Sequence, residues 1–84
     1  MIKTTVTIDG MACSMCEAHI NEVIRQLYPK AKKISSSHKT GETVFLTETV
    51  PDCEDIRSAI DRTGYRFISC KSEAYEKKGL FFRK

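Results

Sequence analysis

Cys13 and Cys16, three positions apart in a chain of 84 residues, are the side chains best suited to chemistry. Thiolates are soft ligands that select Cu(I), zinc and related ions, whereas carboxylate-rich sites suit magnesium or calcium. At the start of a helix two cysteines at this spacing can both turn toward one ion. The helix dipole also favours the thiolate of a cysteine in the first turn. Two thiolates suffice for Cu(I), which accepts linear or trigonal coordination, while a closed structural zinc site takes four ligands. Asp9 is a conceivable additional oxygen ligand, and His19, one helical turn beyond Cys16, a conceivable third ligand. For His19 and His38 alike a solvent-facing position is the expectation. The same spacing would also serve a small dithiol oxidoreductase that cycles a disulfide between Cys13 and Cys16. A thioredoxin-type fold is longer and places its motif in a different βαβ context, and no cis-proline pattern or resolving residue accompanies the pair here.

Two further cysteines, Cys53 and Cys70, raise the question of a disulfide framework. The segment Met1–Thr5 has no apolar signal core, and no run of residues approaches the length of a membrane-spanning helix. The expectation is therefore a cytoplasmic protein without membrane insertion, in a compartment that keeps thiols reduced. That setting favours metal or redox chemistry over a structural bridge, and makes Cys53 and Cys70 small apolar fillers or exposed thiols rather than ligands.

A chain this short has room for one core. With 40% hydrophobic and 30% charged residues it is globular in composition. The net charge of +3 is unevenly placed. Residues 1–70 are balanced between acids and bases, and the excess lies in Lys71, Lys77, Lys78, Arg83 and Lys84. A neutral body with a basic tail does not supply the basic patch on the fold that nucleic-acid binding needs.

The elements that must position the cysteines follow from periodicity. Thr4 to Ile8 alternates polar and apolar residues, which predicts a strand ended by Asp9-Gly10. Ile20, Val23, Ile24 and Leu27 recur at three- and four-residue spacing, predicting an amphipathic helix from Ser14 to Tyr28 that Pro29 closes. Residues 31–37 form a weaker strand, and Lys39-Thr40-Gly41-Glu42 supplies a turn into a β-branched strand from Thr43 to Thr49. A second helix begins near Pro51-Asp52, with Asp52, Glu54 and Asp55 at its positive end; Ile56, Ala59 and Ile60 form its inner face and Gly64 its cap. Tyr65 to Cys70 completes the order βαββαβ, an α+β ferredoxin-like sandwich with two helices on one face of a four-stranded antiparallel sheet. On strand alternation, Val44, Leu46 and Phe67 point inward, leaving Phe45 and Ile68 on the open face.

The segment Gly10-Met11-Ala12-Cys13-Ser14-Met15-Cys16 resembles the Gly-Met-x-Cys-x-x-Cys loop of the heavy-metal-associated domain family, which includes copper chaperones, metal-binding domains of P-type ATPases and mercury carriers. The resemblance covers about residues 2–71, since the order of elements and Gly64-Tyr65 also fit. It implies that Cys13 and Cys16 are the metal ligands and that Met11 is tucked into the core beneath the loop. It implies that Tyr65 lies near the loop, at a position where many bacterial members carry Tyr and eukaryotic chaperones usually carry Lys. Zinc binders of this pattern tend to carry an acid immediately before the first cysteine, where this chain has Ala12. The resemblance thus points to Cu(I), with Zn(II), Cd(II) or Hg(II) as alternatives, and Met15 is expected at the surface.

On this reading residues 1–71 are a metal-binding domain rather than an enzyme, and 72–84 form a basic C-terminal extension. Function would be delivery of Cu(I) to the metal-binding domain of a copper-transporting P-type ATPase, with a copper-responsive repressor as a further partner. The start at Met1 and the tail favour a free-standing chaperone over an excised ATPase domain, acting as a monomer or a metal-bridged dimer. In the extension, Ser72 to Lys78 is expected as a short helix, with Leu80, Phe81 and Phe82 folding back over the open face of the sheet or covering it in a neighbouring chain.

Overall fold

Alternation along the first strand sets the register of everything else. The computed structural model describes residues 1–12 and 14–75. β1 (Ile2–Asp9), α1 (Ser14–Leu27), β2 (Lys32–Ser37), β3 (Glu42–Thr47), α2 (Cys53–Arg62) and β4 (Arg66–Ala74) follow in the expected order. The four strands form one antiparallel sheet in the order β2-β3-β1-β4. Thr4, Val6 and Ile8 of β1 face one side and are buried, as a half-buried strand of period two requires. Against them lie Ile20 and Ile24 of α1 and Ile56 and Ile60 of α2, so both helices cover the same face of the sheet. Their repeats at four-residue spacing put each pair on one helical stripe.

α2 is capped as its sequence dictates. The Asp52 carboxylate accepts from the Glu54 backbone N–H at 2.9 Å, and Glu54 and Asp55 sit in the positively polarised first turn. At its other end Gly64 adopts φ +95° and donates its N–H to the Asp61 carbonyl at 3.2 Å. A residue with a Cβ is strained in that conformation. The hydroxyl of Tyr28, just past α1, accepts from the Asp52 N–H at 3.2 Å and so ties the end of one helix to the start of the other.

Three expectations about the strands are corrected. First, β3 is turned the other way: Phe45 is fully buried in the core, stacked on Tyr28 with ring centroids 5.8 Å apart. Alternation then places Thr43 and Thr47 inside with it, in positions that apolar count alone would have given to Val44 and Leu46. The buried threonines are tolerated because each hydroxyl has a partner. Thr43 Oγ1 lies 2.8 Å from Ser36 Oγ, and Thr47 donates to the Thr49 carbonyl at 2.6 Å. Leu46, on the other face of β3, is also buried, at 5% exposure.

Second, β4 is interrupted by a bulge. Thr7 pairs with Ser69 and Ile8 with Phe67, leaving Ile68 as the extra residue, 50% exposed. Such a bulge shifts the alternation by one. Phe67 and Cys70 therefore both pack toward the helices although they are three positions apart. Third, Ser72–Ala74 is strand rather than the start of a helix. Pairing with β1 continues to Ile2 opposite Ala74, and the Tyr75 N–H donates to the Met1 carbonyl at 2.9 Å. With Phe45 in the core, the open-face patch lacks its expected aromatic; Leu80, Phe81 and Phe82 lie outside the described residues.

Among the described residues no helix is long and apolar enough to cross a membrane.

Candidate metal centre

The loop after β1 is shaped by one glycine and one methionine. Gly10 takes φ +101°, which turns the chain off the strand in a conformation that favours glycine. A Cβ there would lie 3.6 Å from Cδ1 of Tyr65, so the backbone at Gly10 runs close beside that ring. Met11 follows and is 5% exposed, a member of the core cluster with Val6, Ile8, Ile20 and Ile24. The thioether is therefore an anchor that fixes where the loop leaves the core. That agrees with the expectation of a methionine beneath the loop.

α1 then begins at Ser14, and Cys16 lies in its first turn, half-buried and packed against the core. Cys13 lies outside the described residues. Met15 points to solvent, 81% exposed, as expected. His19 is exposed too, and its ring meets Tyr65 edge to face at 5.7 Å between centroids. Tyr65 is half-buried and packs on the core, with its ring beside Gly10. The turn at Gly64, φ +95°, leads into it.

A contact with no sequence signal braces the same helix turn. The Glu17 carboxylate accepts from the His38 backbone N–H at 2.8 Å and lies 2.6 Å from the His38 ring Nδ1. These bonds, the backbone one first, hold the Glu17 carboxyl below its usual range. His38 is thus partly turned to solvent and partly engaged, and it ties the β2–β3 turn to the residue after Cys16. One turn along, Ser36 donates to Asn21 Oδ1 at 2.6 Å and continues the brace into β2.

Cys53 and Cys70 depart from the expectation of separate fillers or exposed thiols. They are joined as a disulfide, with Cα atoms 5.9 Å apart, linking the first residue of α2 to β4. The reason is the bulge, which turns Cys70 to the helix side; uniform alternation from Phe67 would have turned it away. Among the described residues no group of three or more His, Cys, Asp and Glu side chains is placed to hold a metal ion. A cleft of about 340 Å³ lies elsewhere, lined by Leu27, Tyr28, Ala31 and Thr47 at the far end of α1 from Cys16.

No protein-family model matches the chain. A mercuric reductase from Lysinibacillus sphaericus is 36% identical over 66 residues, which is 79% of this chain and 12% of the reductase's length. The solved yeast copper transporter domain Ccc2a, studied in apo and Cu(I)-loaded states, matches with a TM-score of 0.68 at 23% identity. That match covers 88% of this chain and 97% of the domain. The N-terminal domain of ZntA in its Zn(II) form also gives a TM-score of 0.68, at 19% identity, over 80% of this chain and 89% of that one. At these identities the structural matches establish a common fold, one of them a Cu(I)-loaded domain and the other a Zn(II) form.

Proposed function

We propose that this chain, which has the fold of the heavy-metal-associated domains, binds one soft metal ion between Cys13 and Cys16 and passes it to a partner site. The observation that carries the proposal is the placement of Cys16. It stands half-buried in the first turn of α1, after a stretch set by Gly10 and the buried Met11, with the Tyr65 ring beside Gly10. A thiolate in a helix's first turn is favoured by the helix dipole and by the N–H groups that the helix leaves unpaired. The Cys-x-x-Cys spacing puts a second thiolate next to it in sequence.

Cu(I) is the metal we assign. Two thiolates complete a linear site, and the residue before Cys13 is Ala12, which offers no oxygen. The recipient we propose is the metal-binding domain of a copper-transporting P-type ATPase, with delivery in the cytoplasm. A second reading rests on the mercuric reductase relative: Hg(II) is also soft and also accepts two thiolates. In either case the protein is a carrier, and transfer proceeds as incoming thiolates displace outgoing ones.

The test uses reduced protein in which Cys53 and Cys70 are both replaced by Ser. One Cu(I) per chain is expected, measured against a chromophoric Cu(I) chelator. Adding Cys13→Ser or Cys16→Ser should remove that binding while the circular dichroism spectrum stays the same. Binding that survives both substitutions would refute the assignment.

A further inference from the structure

Cys53 and Cys70 stand apart from the loop. Cys70 pairs with Val6, three residues up β1 from Asp9 and so about 10 Å from the strand end that leads into the loop. Cys53 opens α2, at the opposite end of that helix from Gly64 and Tyr65. The two sulfurs are bonded across a Cα separation of 5.9 Å. Both residues are half-buried rather than sealed, one on a helix's first turn and the other on an edge strand, where a thiol reductant can reach them. Accessible disulfides of this kind are the labile ones.

A pair of thiols placed to close a disulfide is, once reduced, also a chelate. Two metal–sulfur bonds of about 2.3 Å hold the sulfurs roughly 4.6 Å apart in a linear site. Side chains that meet across 5.9 Å reach that separation by rotating about χ1. Cys70 packs against the apolar core and Cys53 lies beside it, so an ion held there would sit in a partly dry setting that disfavours hard, strongly hydrated cations.

We infer that Cys53 and Cys70 are a second soft-metal site, open when reduced and closed when oxidised. The inference takes its biological sense from the proposed metal-carrying function. Closure is a thiol–disulfide exchange with a small-molecule disulfide such as glutathione disulfide. The two cysteine thiols lose two electrons and form one S–S bond, the S–S bond of the oxidant breaks, and the two protons pass to its departing thiolates. Binding of the ion releases the thiol protons to solvent instead. The chain then holds two soft ions when fully reduced, and the site at α2 is withdrawn when the small-molecule disulfide rises.

The test uses the full chain carrying Cys13→Ser and Cys16→Ser, so that failure of the loop assignment cannot affect it. Hg(II) is the probe, followed by the sulfur–mercury charge-transfer band and by native mass spectrometry. After phosphine reduction and removal of the phosphine, one Hg(II) per chain is expected; after treatment with glutathione disulfide, none. Further replacement of Cys53 and Cys70 by Ser should abolish binding to the reduced form. As a check that does not depend on that variant folding, the reduced Cys70→Ser chain should hold one Hg(II) fewer than the reduced wild-type chain. A phosphine that releases no thiols from the folded variant would overturn the inference. So would a reduced variant that binds no Hg(II), or an oxidised one that binds as much as the reduced.

Discussion

The two cysteine pairs occupy opposite kinds of ground in one sandwich. Cys13 and Cys16 are three positions apart in sequence, and Cys16 lies in the first turn of α1. Cys53 and Cys70 are 17 positions apart and meet only because α2 packs on β4. The stretch before Cys16 is set by the backbone, through Gly10 at φ +101°, and by the buried Met11. The distant pair depends on tertiary structure, through the bulge that gives Phe67 and Cys70 a common face. A local motif is positioned by a few residues and can stay open to an exchange partner. A distant pair reports on whether two elements are docked, and bonding it holds them together.

The contrast is sharpest in stability. Met11→Ala should have the largest effect, because it empties a nearly sealed core position under the loop. Loss of about 2–5 kcal/mol is expected from deleting such a side chain, read by chemical denaturation. Retention of full stability would mean that the loop is not anchored by the core. Reducing the Cys53–Cys70 disulfide comes next. A closed loop of this length is worth about 3 kcal/mol in the chain-entropy account. The denaturation midpoint of the Cys13→Ser, Cys16→Ser chain should fall accordingly when phosphine is added, and an unmoved midpoint would show that the bond constrains nothing.

The smallest effect should come from the brace beside Cys16. The folded state lowers the pKa of Glu17, so its contribution is complete above the ordinary carboxylate range and fades as pH falls through the lowered value. Glu17→Gln should therefore melt slightly below the parent at neutral pH and converge with it in acid. A gap that widens in acid would contradict the assigned hydrogen bonds.

The sequence carried the local features well, for a physical reason. The order of elements follows from periodicity within each segment, and the Gly10–Cys16 motif is contiguous, so neither needs long-range information. The burial of Met11 and the nearness of Tyr65 came through resemblance, and the contacts agree. Features that depend on pairing between distant strands were harder to read. Counting apolar residues turned β3 over, because Thr43 and Thr47 look polar until Ser36 and the Thr49 carbonyl are seen to satisfy them. The bulge at Ile68 has no signal in the residues themselves, and with it went the disulfide. The reach of β4 to Ala74 was hidden by a charged, helix-compatible composition that pairing with β1 overrides. Glu17 and His38, 21 positions apart, were equally invisible.

The proposed Cu(I) site at Cys13 and Cys16 stands or falls on metal selectivity. Its most direct measurement is a competition on reduced Cys53→Ser, Cys70→Ser protein, with Cu(I) buffered by a chelator and Zn(II) or Hg(II) offered in turn. One Cu(I) per chain is expected, not displaced by Zn(II) at equal buffered availability and lost on Cys16→Ser. Displacement of Cu(I) by Zn(II) at that availability would contradict it, as would Cu(I) binding that is indifferent to Cys16.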